Sequence, residues 1–185
     1  MNTMKLIFFG LIFVMLELNL GINILPDFVG YLLIWKGCND FAKESPKMAA
    51  VRPVALILAG LTAVVYVMAL FKLTAGLGII GNVIEIAMVL GSLLVVYMLG
   101  QGVHEIEVQN NVELNSVAIL NSWKLLAIAE VGAYAMILLG KALAVLTLIG
   151  SVLVLASFLF KVVLLVSAYF SNKMYKEWKN PTVEE

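Results

Sequence analysis

Long apolar stretches recur along this chain, and they constrain its fold more than any other feature. Residues 6–25, 54–71, 80–99, 118–139 and 142–170 are each dominated by aliphatic and aromatic side chains. About 20 such residues cross the hydrocarbon core of a bilayer as a helix, which satisfies its own backbone hydrogen bonds. The sequence therefore predicts an all-α integral membrane protein, with the lipid bilayer as its first partner.

Composition supports this prediction. The chain is 63% hydrophobic and 13% charged, whereas soluble domains are about 45–50% apolar and about 25% charged. Its formal net charge is zero, which argues against a nucleic-acid partner. Glu17 interrupts the first apolar run and no small-residue cleavage site follows, so this run is expected to be a retained span and not a signal peptide.

The number of spans depends on one ambiguous segment, residues 28–42. It begins with the apolar sequence FVGYLLIW and then turns polar at Lys36, Asn39 and Asp40. It could form a short or tilted crossing, a re-entrant helix or an interfacial helix. We expect a single transmembrane domain over residues 1–185, a bundle of about six helices, or five if this segment does not cross.

The connections between spans give the expected orientation. Ser45-Pro46 is predicted to break one helix and Pro53 to suit the start of the next. Residues 100–116 are polar and acidic, and are expected to form a water-exposed loop that includes an amphipathic surface helix. Basic residues concentrate in the connector around Lys47 and Arg52 and in the tail, residues 171–185. The connector and the C-terminus are therefore predicted to be cytoplasmic.

Three glutamates stand inside apolar runs, where an ionised group costs about 2.5–3.5 kcal/mol on insertion scales. Glu17, Glu85 and Glu130 each have small or polar neighbours on one helical face, such as Asn82 beside Glu85 and Tyr134 beside Glu130. That pattern favours a position facing protein. At about 1.5 Å per residue, all three lie about 9–15 Å below the outer boundary, so they could meet in one layer.

Three carboxylates in one such layer must share protons, bind a cation or pair with a base. Lys161 is the obvious internal base, but it falls near the inner end of its span, and pairing would require a bent helix. Protonation or cation binding is therefore the sharper hypothesis. The simpler reading is that each protonated glutamate only joins two helices through a hydrogen bond.

A second polar set follows the first span. Asn19, Asn23 and Asp27 recur at intervals of four residues and would line one stripe of a continuous helix. The stripe could be a polar path from the outer surface. It could equally be interhelical amide hydrogen bonding followed by a capped turn at Pro26-Asp27.

Other signals for catalysis are weak. His104, Glu105 and Glu107 form the one histidine–carboxylate cluster, but HEIE lacks the HExxH spacing of zinc proteases, and solvated side chains are the simpler reading. The chain has no phosphate loop, and its single cysteine, Cys38, excludes a cysteine-based zinc site. We expect no cofactor and no resident metal, and an enzyme is the least favoured class.

The stretch Asn23-Ile-Leu-Pro-Asp-Phe-Val-Gly-Tyr31 resembles a segment of small uncharacterised polytopic membrane proteins of Gram-positive bacteria. The resemblance covers the first span and the helix after it. It implies a bacterial plasma membrane and brings no activity with it.

Two functional hypotheses follow. The first is a small transporter or channel-like protein for a proton, a small cation or a cation-coupled solute, with Glu17, Glu85, Glu130 and Asn82 as its site. The second is a non-transporting accessory, sensor or immunity protein whose polar residues pack helices or bind a partner. A homo-oligomer or a partner membrane subunit is compatible with either hypothesis.

Overall fold

The computed structural model describes residues 3–16, 26–42, 44–73, 77–140 and 144–180, and within these ranges the regular structure is entirely helical. The helices are α1 (Thr3–Met15), α2 (Asp27–Phe41), α3 (Pro46–Leu70), α4 (Gly78–Asn110), α5 (Ser116–Leu139) and α6 (Ala144–Lys179). The predicted all-α membrane bundle is confirmed.

Four of these helices are long and apolar enough to cross a membrane: Pro46–Leu70, Gly78–Asn110, Ser116–Leu139 and Val145–Lys179. By contrast, α1 has 13 residues and α2 has 15. At 1.5 Å per residue they reach about 20 and about 22 Å, less than the roughly 30 Å of a hydrocarbon core. The ambiguous segment does form a helix, and whether it crosses the bilayer stays a prediction.

The helices alternate in direction, as contacts between their ends show. The contacts are Thr3 Oγ1 to Asp40 Oδ2 at 3.0 Å, Lys47 Nζ to Gln101 Oε1 at 3.0 Å, and Lys179 Nζ to Glu44 Oε1 at 3.3 Å. The starts of α1 and α3 therefore lie beside the ends of α2, α4 and α6. We call this the basic end of the bundle, and the other side, where α3 ends and α4 begins, the opposite end.

Glycines allow α1 and α2 to pack with their backbones in contact. A Cβ atom on Gly10 would lie 2.6 Å from the carbonyl oxygen of Gly30, and one on Gly37 would lie 2.6 Å from Cγ1 of Ile7. Only the hydrogen atom of a glycine fits at these positions. The two short helices therefore form a tight antiparallel hairpin beside the four longer ones.

Helix α3 begins earlier than the predicted span at residues 54–71. Ser45 is its N-cap and accepts a hydrogen bond from the backbone N–H of Met48, and Pro46 occupies the first turn. Both are ordinary start signals. Pro53 lies inside the helix instead of opening it. The apolar run therefore marks the later, more apolar part of α3 and not its first turn.

Helix α4 runs through the region expected to be a loop. It continues to Asn110 and ends at Asn111, which adopts the left-handed conformation with φ 51°. Gly100 and Gly102 do not interrupt it, because they are close-packing positions: added Cβ atoms would lie 2.7 Å from Leu120 and Met48 side-chain atoms. The helix expected within residues 100–116 is present, but it continues α4 instead of forming a separate surface helix, and the loop expected there is confined to residues 111–115.

Candidate functional site within the bundle

An ion pair joins α5 to α6 inside the bundle. Lys161 Nζ lies 3.0 Å from Glu130 Oε1, and the side chains are only 16% and 10% exposed. Both residues stand in helices whose other residues are mostly apolar. Two opposite charges at this distance offset part of each other's loss of hydration.

The pairing contradicts the expectation that Lys161 would need a bent helix to reach a glutamate. Ser122 contacts Ser167 and Gly132 adjoins Leu153, so the position level with Glu130 lies about one turn before Lys161. Helical side chains lean toward the N-terminus of their own helix. Because α5 and α6 are antiparallel, Glu130 and Lys161 lean toward each other and cover that offset.

A second polar contact joins α4 to α5. Tyr134 Oη donates to Glu85 Oε1 at 2.9 Å, and Tyr134 follows Glu130 by one helical turn. Glu85 is otherwise exposed on the surface of α4, which differs from the expectation that it faces protein. The two contacts together place polar groups on three neighbouring helices, in the order Lys161, Glu130, Tyr134, Glu85.

The other predicted site residues divide into three groups. Asn82 is exposed and precedes Glu85 by three residues on α4. Asp27 is the first residue of α2 and is half-buried; a carboxylate suits the N-terminal end of a helix. Glu17, Asn19 and Asn23 lie outside the described residues, so the three-glutamate layer stays a prediction.

The carboxylate of Glu107 caps α5. It accepts hydrogen bonds from the backbone N–H of Leu114 at 2.6 Å and of Ser116 at 2.9 Å, and from the Ser116 hydroxyl. The first N–H groups of a helix have no partner within it. Glu107 therefore satisfies donors at the start of α5 from the last turn of α4.

Glu105 does the same for α3. Its carboxylate accepts hydrogen bonds from the Ser45 hydroxyl and from the backbone N–H of Lys47 at 3.1 Å. Neither capping role follows from the prediction that these side chains are solvated. The signal that could have found them is the two-residue spacing of Glu105 and Glu107, which directs their side chains to different neighbours on a helix.

His104 does not form a catalytic relay. Its Nδ1 lies 3.2 Å from Ser116 Oγ and 3.5 Å from Glu107 Oε2. A relay uses the two ring nitrogens for two different partners, whereas here one nitrogen makes both contacts. No group of three His, Cys, Asp or Glu residues suited to a metal occurs in the part of the chain that the structure describes.

Comparison with known proteins returned no match to a family model, to a curated protein or to a solved structure.

Proposed function

We propose that this membrane protein is a small transporter or channel-like protein whose coupling species is a proton or a small cation. The observation that carries the proposal is the Glu130–Lys161 pair, placed inside an apolar bundle and followed one turn later by the Tyr134–Glu85 contact. Glu17 and Asn82 complete the proposed set.

Packing alone gives little reason to keep such a pair. Replacing a buried ion pair by apolar side chains of similar volume is often neutral or stabilising. Ionisable residues within membrane helices are for this reason treated as functional candidates. A pair that packing does not require is better explained by a change in its charge during function.

Proton arrival at Glu130 supplies that change. Neutral Glu130 no longer offsets the charge of Lys161, which then favours a different position or a different partner. Because Lys161 belongs to α6, the helix that carries it is drawn into the same transition. Loss of the proton restores the pair, so alternating protonation switches the bundle between two arrangements.

Glu85 and Tyr134 provide the route by which protons reach the pair. Glu85 is exposed about seven residues from the start of α4 at the opposite end, while Tyr134 lies between Glu85 and the turn that holds Glu130. A hydroxyl both donates and accepts, so Tyr134 can relay a proton between a carboxylate and an intervening water.

The membrane and its sidedness belong to the same proposal. The NILPDFVGY resemblance supports a bacterial plasma membrane. The concentration of lysine and arginine at the basic end supports a cytoplasmic position for that end and for the C-terminus.

Proton flux in proteoliposomes tests the function. A pH-sensitive dye in the lumen is followed after an imposed pH or cation gradient, for the wild-type chain and for Glu85→Gln and Glu130→Gln. Both variants should lose flux, because glutamine keeps the shape of the side chain and cannot take up and release the proton. Glu113→Gln, at an exposed position on the α4–α5 connection, is the matched control and should retain it.

Loss of fold is controlled with a second variant. Glu130→Met combined with Lys161→Met removes both charges and keeps the bundle apolar. It should purify as a folded protein and show no flux. Wild-type flux in either the glutamine variants or this double variant would contradict the proposal.

One observation favours the second hypothesis, a non-transporting protein that binds a partner. Glu85 and Asn82 are exposed on a helix face that is otherwise apolar, with Ile79 at 81% and Val83 at 59% exposed. A polar pair on a lipid-facing surface suits a hydrogen bond to a partner span. Co-purification of a membrane protein lost on Asn82→Leu, with no flux in the wild type, would decide for this reading.

A further inference from the structure

Polar side chains continue along the α5–α6 interface on the basic side of the ion pair. Ser122 Oγ lies 3.3 Å from Ser167 Oγ, and Asn115 Nδ2 donates to the backbone carbonyl of Ser167 at 3.1 Å. Asn115 belongs to the α4–α5 connection at the basic end. A line of hydrogen-bonding groups therefore leads from that end to Ser122.

Two leucines separate this line from the ion pair. Leu126 lies four residues after Ser122 and four before Glu130, and Leu164 lies three residues after Lys161 and three before Ser167. Both leucines are fully buried, at 0% exposure, in one apolar core. The polar groups on α5 and those on α6 are thus interrupted at the same level.

A small cavity lies on the basic side of Leu164. Its volume is ≈ 20 Å³, and its walls come from α1, α3, α4, α5 and α6, including Leu11, Leu99, Ile119 and Leu164. About 10–15 Å³ holds one water molecule, which needs two to four polar partners. Ser171 Oγ, buried and without a protein partner, is the one side-chain hydroxyl lining it. A space lined by one side-chain hydroxyl offers a water molecule few hydrogen bonds.

We propose that Leu126 and Leu164 form an apolar barrier that closes the Glu130–Lys161 pair to the basic end, so that in this arrangement the pair exchanges protons with the opposite end only. Apolar constrictions block ions by excluding water. The inference rests on the proposed function and adds the side of access and the residues that must separate for the other side to open.

The test introduces a polar side chain into the barrier. Leu126→Asn and Leu164→Asn introduce an amide that can hold water between Ser122–Ser167 and the ion pair. Each variant should raise the passive proton leak of proteoliposomes several-fold, measured with a lumenal pH dye while valinomycin and potassium clamp the potential. Ile34→Asn is the matched control, because Ile34 is also 0% exposed but lies in the α1–α2 hairpin; it should not raise the leak.

A double variant decides whether the leak passes through the pair. Adding Glu130→Gln to Leu164→Asn should return the leak to the wild-type level. A leak that persists in this double variant, an equal leak from Ile34→Asn, or no leak from folded Leu126→Asn and Leu164→Asn would each overturn the barrier. Gradient-driven flux by the wild type is measured in a separate experiment. Absence of that flux would contradict the proposed function, whereas the leak measurements would still test the barrier.

Discussion

At the scale of the residue, the direction in which helical side chains lean decides which charges meet. Counting depth by Cα position separates Lys161 from Glu130 by about one turn, which is the basis of the expectation that pairing would require a bent helix. The lysine side chain extends toward the start of α6 and the glutamate side chain toward the start of α5. Depth should therefore be counted at the charged atom, not at the backbone.

The two charges of the pair should contribute to the free energy of unfolding jointly and not independently. Glu130→Met or Lys161→Met leaves one charge buried opposite a neutral group, which costs about 3–5 kcal/mol in the free energy of unfolding. The Glu130→Met, Lys161→Met double variant should recover most of that loss. Thermal unfolding in detergent, followed by circular dichroism, measures the three variants side by side. Simple additivity of the two single losses would show that the charges do not interact.

At the scale of the element, apolar runs predicted the cores of α3 to α6, and polar composition misled about where α4 ends. A helix that leaves the membrane becomes polar and resembles a loop in composition. What keeps residues 100–110 helical is tertiary: Gly100 and Gly102 pack against α5 and α3, and Glu105 and Glu107 bond to the neighbouring helix starts. None of these contacts can be derived from the periodicity of apolar residues in the sequence.

Removing the Glu107 cap should destabilise the start of α5. Glu107→Ala leaves the backbone N–H groups of Leu114 and Ser116 without their partner, at a cost of about 1–3 kcal/mol in the free energy of unfolding. Hydrogen exchange of those two amides should accelerate, and the melting temperature should fall. Glu113→Ala, three residues from Ser116 but exposed, should change neither. Unaltered exchange in Glu107→Ala would argue against the cap.

At the scale of the whole molecule, basic residues are concentrated at one end of the bundle. Lys47, Arg52 and the lysines of the last turns of α6 all lie at the basic end, while Lys72 lies beyond α3 at the opposite end. The sequence predicted this asymmetry from loop composition. The end contacts of alternating helices explain why the basic residues share one side.

Sidedness is open to direct measurement. In a Cys38→Ser background, Lys72→Cys and Lys176→Cys place exposed thiols at the two ends. In intact bacterial cells a membrane-impermeant maleimide should label Lys72→Cys and spare Lys176→Cys until the cells are opened. Labelling of Lys176→Cys in intact cells would invert the proposed orientation. Cys38 itself, at 0% exposure, should resist labelling in the folded protein.

If Glu130 takes up a proton as proposed, the ion pair also determines how the protein responds to voltage. While Glu130 and Lys161 are both charged, their sum is zero, and a membrane potential exerts little net force on the pair. Protonating Glu130 leaves one positive charge within the membrane, on which the potential does work of up to about 2.3 kcal/mol per 100 mV for a full crossing. With the basic end cytoplasmic, as proposed, a potential that is negative on that side would then draw Lys161 toward it, so one proton would turn a pair insensitive to voltage into a sensitive one.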